Sequence, residues 1–186
     1  MNIDVYLFQL INNLANKNTL LDHFFILLTD FSPYIILLIL VWIWFFRKGD
    51  KRINKKIVLF AIFTVILAIG ANYLINIFYF RPRPFTEIEG PITMLIDKAA
   101  DSPSFPSNHA TGAFAIAFAF FTKDKRLGSG LIILAILIAI SRIFVGVHYP
   151  TDVAAGAMIA FIACLATHSL MNDKDLRSRQ RSRYTS

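Results

Sequence analysis

Long apolar runs separated by short polar stretches make up most of this chain. Five runs read as membrane-crossing helices: Leu20–Phe46, Ile57–Phe80, Ala110–Thr122, Leu127–Phe144 and Val153–Leu170. Within lipid a helix satisfies its backbone polar groups internally, and about 20 mostly apolar residues are needed to span. The first run carries Asp30 and Ser32-Pro33, so it is expected to kink or to divide into two shorter segments, with Asp30 read as marking a break. The third is short unless the helix is counted from Ser107 to Lys123. Ahead of these runs, Ile3, Leu7, Leu10, Ile11 and Leu14 recur at helical spacing, which predicts a short amphipathic helix lying on the membrane surface. The N-terminal stretch has no basic segment and no small-residue cleavage site, so it is not read as a cleavable signal peptide.

Composition turns this pattern into a fold class. Apolar residues are 56% of the chain, 18 of them phenylalanine, and the mean hydropathy is +0.56. No linker or internal repeat divides the sequence, so residues 1–186 are read as one domain. The expected architecture is all-α: a polytopic membrane bundle of about five transmembrane helices plus the N-terminal interfacial helix. The lone cysteine, Cys164, leaves neither a disulfide framework nor a cysteine-based zinc site available.

Charge then orients the bundle. Of 19 lysines and arginines, 14 fall in three clusters at 47–56, 123–126 and 174–183. Five crossings place all three clusters on one face, which the positive-inside rule makes cytoplasmic, together with the basic tail 171–186. The loops 81–109 and 143–152 then face outward. Basic segments flanking membrane helices are expected as anchors, so no nucleic-acid partner is inferred from them.

Three polar stretches lie on that outward side. "NIFYFRPRPF" runs from Asn76 to Phe85, "SFPSNHATGAF" from Ser104 to Phe114, and "SRIFVGVHYPTD" from Ser141 to Asp152. Arg81, Arg83 and Arg142 oppose the topology signal, and a guanidinium fork matches phosphate oxygens. Ser107 or Asn108 suits the N-cap of the following helix, whose free N–H groups attract an anion. His148 is the candidate nucleophile, because Asp152 can accept the proton of its other ring nitrogen and fix the tautomer. Pro150 is expected to open the last helix, with Asp152 in its first turn. His109 is the candidate general acid, and Arg83, Arg142, Ser107 and the helix-start amides are positioned to hold phosphoryl charge. His23 and His168 lack such partners and read as interfacial anchors. Neither His109 nor His148 lies in a zinc-binding spacing, and the neighbouring arginines favour an anion over a metal cation.

These residues resemble the type 2 phosphatidic acid phosphatase superfamily of membrane lipid phosphatases, whose motifs are K-x6-R-P, P-S-G-H and S-R-x5-H-x3-D. The third is complete here as Ser141-Arg142, His148 and Asp152; the second is Pro106-Ser107-Asn108-His109, with asparagine in place of glycine; the first is Arg83-Pro84 with Asn76 at the lysine position. The resemblance covers about 76–152. It implies that His148 forms a phosphoenzyme oriented by Asp152, that His109 is general acid and base, and that Arg83, Ser107 and Arg142 bind phosphate with no metal or other cofactor. Asn108 and Asn76 fall at phosphate-contact positions of the same motifs, and Arg81 is the expected substitute for the missing lysine. Small size, the R-P-R-P-F stretch and an outward site are most similar to bacterial undecaprenyl-diphosphate phosphatases of the bacitracin-resistance type. The implied partners are a lipid diphosphate substrate and membrane lipids; phosphatidylglycerophosphate or phosphatidate is the alternative substrate for the same chemistry.

Overall fold

The computed structural model describes residues 2–184, with side chains described as far as Met171. Seven helices follow in order: α1 (Ile3–Asn12), α2 (Thr19–Phe45), α3 (Lys51–Phe78), α4 (Pro84–Glu87), α5 (Asn108–Phe121), α6 (Lys125–Phe144) and α7 (Pro150–Tyr184). Among the described residues there is no strand. Four helices, α2, α3, α6 and the first part of α7, are long and apolar enough to cross a membrane. Their starts are set by polar caps: the side chain of Asn18 accepts the Leu20 and Leu21 amides, Asp50 accepts that of Arg52, and Asp124 accepts that of Leu127. α7 runs beyond its apolar part to Tyr184, so the helix continues into the basic tail predicted for 171–186; the tail's side chains and residues 185–186 lie outside the described residues.

α5 is the short apolar helix, and its place in the bundle explains both properties. It packs against α3, α6 and α7, and Ala110, Ala113, Ala115, Ala117, Ala119 and Phe120 are all buried. A helix apolar on every side is a core helix, and alanines let neighbouring backbones approach closely. Its 14 residues span roughly 21 Å, short of a hydrocarbon core of about 30 Å. Asn72 of α3 touches the start of α5, and α3 continues from there to Phe78, roughly 9 Å further at 1.5 Å per residue. The N-terminus of α5 is therefore recessed below the rim of the bundle.

Sequence leaves open whether the first apolar run kinks or divides; α2 is one helix of 27 residues, and Asp30 marks no break. Pro33 lacks the N–H that would bond the Thr29 carbonyl, and the Ser32 hydroxyl donates to that same carbonyl at 3.1 Å instead. The lost bond is replaced locally, so the helix survives its proline.

The apolar stripe of α1 faces away from the protein as predicted, with Ile3, Leu7 and Leu10 exposed. The opposite face carries Asp4, Phe8 and Asn12, all buried, which the sequence pattern does not reveal. Asn12 Nδ2 donates to the carbonyls of Thr93 (2.8 Å) and Phe144 (2.9 Å), and its Oδ1 accepts the Thr93 amide (3.0 Å). One side chain thus ties α1 to the loop 88–107 and to the end of α6.

The two ends of the bundle differ in chemistry. At one end Arg47 pairs with Asp124, and Lys56, Lys123 and His168 line a cavity of about 380 Å³. Basic residues of the first two clusters thus meet there. The polar motif residues gather at the other end.

Candidate active site

The chain between Arg142 and His148 turns through Gly146, whose φ of +87° favours glycine. A Cβ there would lie 2.7 Å from the Thr93 carbonyl oxygen. Val145 and Val147 are fully buried within this turn, so it is held rigidly between α6 and α7. A second close approach is at Gly156 on α7, where a Cβ would meet Thr111 Oγ1 at 2.7 Å. That contact lets the first turns of α5 and α7 lie side by side, and the Ser107 amide donates to the Asp152 carbonyl at 3.1 Å.

The result is a polar cavity of about 240 Å³ lined by Asn76, Arg83, Lys98, Asn108, His109, Arg142 and His148, among others. His148 Nδ1 lies 3.5 Å from Asp152 Oδ2, and its Nε2 lies 3.5 Å from Arg83 Nη1. Burial pushes the His148 imidazole down to about 4; the Asp152 contact opposes this, and the Arg142 and Arg83 charges add to it. At neutral pH the ring is uncharged, with its Nε2 lone pair on the side of Arg83 Nη1. Asp152 is fully buried: Oδ2 accepts the Ser104 hydroxyl and the Tyr149 amide, and Oδ1 accepts Arg81 Nη1 at 2.7 Å.

Arg142 is 2% exposed, and its Nη1 donates to Thr29 Oγ1 on α2 while its Nε has no partner. Ser107 is the N-cap of α5, yet its buried hydroxyl makes no capping bond and is also unpartnered. Asn76 Oδ1 is a third such atom. Buried polar groups are normally satisfied, and a charged one without a counter-ion is especially costly. Two of these, Arg142 Nε and the Ser107 hydroxyl, are donors, and their convergence with a free helix start defines a place for an anion, whereas Asn76 Oδ1 is an acceptor. Arg83 has three of its five N–H groups committed, to Ser102 Oγ, the Val147 carbonyl and the Pro103 carbonyl, a fourth faces His148 Nε2 at 3.5 Å, and one remains.

Most residues picked out from the sequence converge here: His109, His148, Arg83, Arg142, Asn76 and Asn108 line the cavity, with Ser107 at the start of α5 and Asp152 behind His148. Arg81 does not line it. Its guanidinium pairs with Asp4 (2.7 Å) and Asp152 (2.7 Å), and sits 3.9 Å from the Tyr149 ring centroid. Two carboxylates and an aromatic face hold it on the far side of Asp152, so it stands outside the position expected for a lysine substitute. Asp4 also accepts the Thr151 amide and hydroxyl.

Several participants were not singled out in the sequence. Asn72, one helical turn before Asn76, donates to Asn108 Oδ1 (2.8 Å) and Thr111 Oγ1 (2.9 Å), fixing the α5 start. Its spacing of four from Asn76 was the available signal. Lys98 comes from the irregular loop 88–107 and carries no periodic or motif signal at all. Among the described residues, no group of three His, Cys, Asp or Glu side chains is placed to hold a metal ion.

Beside the polar cavity, and sharing Asn108 and His109 with it, runs a second cavity of about 310 Å³ between α2, α3 and α5. It is lined mainly by apolar groups, including Pro33, Ile36, Val65, Ala113 and Ile116. A cation-rich cavity that shares its wall with an apolar groove suits a ligand with a charged head and an apolar tail.

The chain belongs to the PAP2 superfamily, whose family model matches residues 57–176. A protein of Bacillus subtilis (strain 168), undecaprenyl-diphosphatase BcrC, is 40% identical over 162 residues, covering 87% of this chain and 80% of that protein. Among solved structures, Aquifex aeolicus LpxE superposes with a TM-score of 0.75 at 29% identity, covering 91% of this chain and 96% of that one. A phosphatidylglycerolphosphate phosphatase from Bacillus subtilis shares the fold, with a TM-score of 0.60 at 20% identity over 93% of this chain and 88% of that one.

Proposed function

We propose that this protein hydrolyses undecaprenyl diphosphate to undecaprenyl phosphate and inorganic phosphate through a phosphohistidine, at a site on the outer face of the membrane. The observation that carries the chemistry is the buried, uncharged His148 backed by Asp152 and facing the unpartnered Nε of Arg142 across an anion-sized cavity. The lipid is favoured by the similarity to undecaprenyl-diphosphatase BcrC along most of the chain.

In the first step His148 Nε2 attacks the terminal phosphorus, and the bond from that phosphorus to the bridging oxygen breaks. The Nδ1 proton stays on the ring, directed at Asp152, so the imidazolium character of the phosphohistidine is balanced by a carboxylate. Arg83, Arg142, the Ser107 hydroxyl and the α5 amides hold the equatorial oxygens, where charge accumulates. Burial, and then the charges around it, hold the His109 imidazole at about 3 in the empty site, so it takes up a proton as the anionic phosphate binds and gives it to the leaving oxygen. In the second step His109 takes a proton from water, whose oxygen attacks the phosphohistidine; phosphate leaves and both histidines return to their starting states. No step requires a metal. The outward assignment rests on the segregation of basic residues to the opposite end of the bundle.

The deciding experiment is phosphate release by the purified protein in detergent, with undecaprenyl diphosphate and phosphatidylglycerophosphate side by side, with and without EDTA. Preference for the prenyl diphosphate, unchanged by EDTA, is expected. Preference for the glycerolipid would retain the site chemistry and replace the substrate, and loss of activity in EDTA would overturn the metal-independent mechanism.

The neutral state of His148 has a pH signature. Because its pKa lies near 4, below the ordinary 6.5, the nucleophile stays competent until the medium is well acid. After correction for ionisation of the substrate, the acid limb of kcat/KM is expected below pH 5. A limb centred at 6.5 would contradict a buried, uncharged nucleophile.

A further inference from the structure

Lys98 lines the polar cavity together with Arg142, His148 and His109. Its nearest acidic neighbours in sequence are Asp97 and Asp101, yet among the described residues it makes no salt bridge. The other cations at this end are engaged differently. Arg81 is neutralised by Asp4 and Asp152, Arg83 is pinned by three hydrogen bonds, and Arg142 is buried and fixed to Thr29. Lys98 is exposed, on a long flexible stem, and free to close on a ligand.

Lys98 lines the polar cavity, which shares Asn108 and His109 with the apolar groove. The Lys98 stem is partly covered although the residue is exposed, and the charges of Arg142 and Arg83 add to that cover in lowering its pKa, while Asp30 of α2 opposes them. Lys98 shares the cavity with Arg83 and Arg142, and α2 supplies the wall of the adjoining groove through Ser32, Pro33 and Ile36. A lipid diphosphate with its tail in the groove and its terminal phosphorus at His148 must place its second phosphate, the one that departs with the lipid, between the two. A neutral side chain, Asn76, stands at the family's lysine position, so the fixed residues provide no ammonium for it.

Resting on the substrate class proposed above, we infer that Lys98 is a specificity-determining residue that binds the lipid-proximal phosphate and makes the enzyme prefer diphosphates to monophosphates. Negative charge builds on this phosphate as the bridging bond breaks, so a mobile ammonium there favours the transition state more than the ground state. A lipid monophosphate has no second phosphate to present. It gains from Arg83, Arg142 and the α5 start alone.

The test compares kcat/KM for farnesyl diphosphate and farnesyl monophosphate in detergent, for the wild type, Lys98→Ala and Lys98→Arg. The wild type is expected to favour the diphosphate. Lys98→Ala is expected to cut that preference by about ten- to a hundredfold, the usual effect of losing a charge-assisted contact, and Lys98→Arg to restore most of it. A merely structural role would lower both substrates together and leave their ratio unmoved, and that result would overturn the inference while leaving the function standing. A wild type that hydrolyses the monophosphate but not the diphosphate would overturn the proposed substrate, and the role of Lys98 with it.

Discussion

Replacing His148 with glutamine is expected to lower phosphate release by about 10⁴-fold or more, because the other imidazole in the cavity, His109, is assigned to proton transfer and, among the described residues, lacks a carboxylate behind it. The side chain is buried in a turn fixed by Val145, Gly146 and Val147, so a polar replacement of similar length keeps the packing while removing the reactive nitrogen. Substrate labelled in its terminal phosphate separates the steps. In a His109→Gln protein, where water is no longer activated, label is expected to accumulate on the protein in an acid-labile, alkali-stable form. With both histidines replaced, that label is expected to vanish. Turnover by His148→Gln within tenfold of the wild type, or labelling of the double variant, would assign the nucleophile elsewhere.

The second large effect is expected at Arg142, and in two opposite directions. Arg142→Met should lose about 10² to 10³-fold in kcat/KM, the range seen when one preorganised charge-stabilising donor is removed. The same substitution should raise thermal stability in the absence of ligand. At 2% exposure, with Thr29 Oγ1 as its hydrogen-bonding partner and Nε unsatisfied, the guanidinium is held at a desolvation cost that its contacts do not offset. Orthovanadate should raise the melting temperature of the wild type and leave that of Arg142→Met nearly unchanged, since only a ligand that binds the folded state shifts it. A variant that melts lower than the wild type and still responds to vanadate would mean that Arg142 is structural and that the anion binds elsewhere.

How far the sequence carries is decided by whether the partners of a feature are near in the chain. The apolar runs for α2, α3, α6 and α7 were readable because spanning is a local demand on about 20 consecutive residues. Ser141, Arg142, His148 and Asp152 were readable for a similar reason: one turn joins two helices and fixes their spacing. Proline read locally left open a kink or a division in α2; the helix does not divide, and the Ser32 hydroxyl offsets the missing hydrogen bond. Long-range pairings were not legible. Asp4 and Arg81 are 77 residues apart, and nothing local says that a carboxylate on a surface helix will draw that arginine away from the polar cavity. Asn12 reaches Phe144 across 132 residues in the same way. Lys98 sits in an irregular loop whose course is set by contacts such as that between Asn12 and Thr93, so its arrival at the cavity had no sequence signature.

Two cavities meeting at Asn108 and His109 imply a division of traffic. A lipid reaching His148 by way of the groove enters sideways from the bilayer, and after the bridging bond breaks the shortened lipid can return by that route. Inorganic phosphate has the opposite preference, since every apolar wall repels it. It departs through the recessed mouth into water. The bond that is broken is thus the boundary between two solvents, and each product is carried off by the phase that prefers it. On the proposed reaction, the two products leave the site by separate routes without any moving lid.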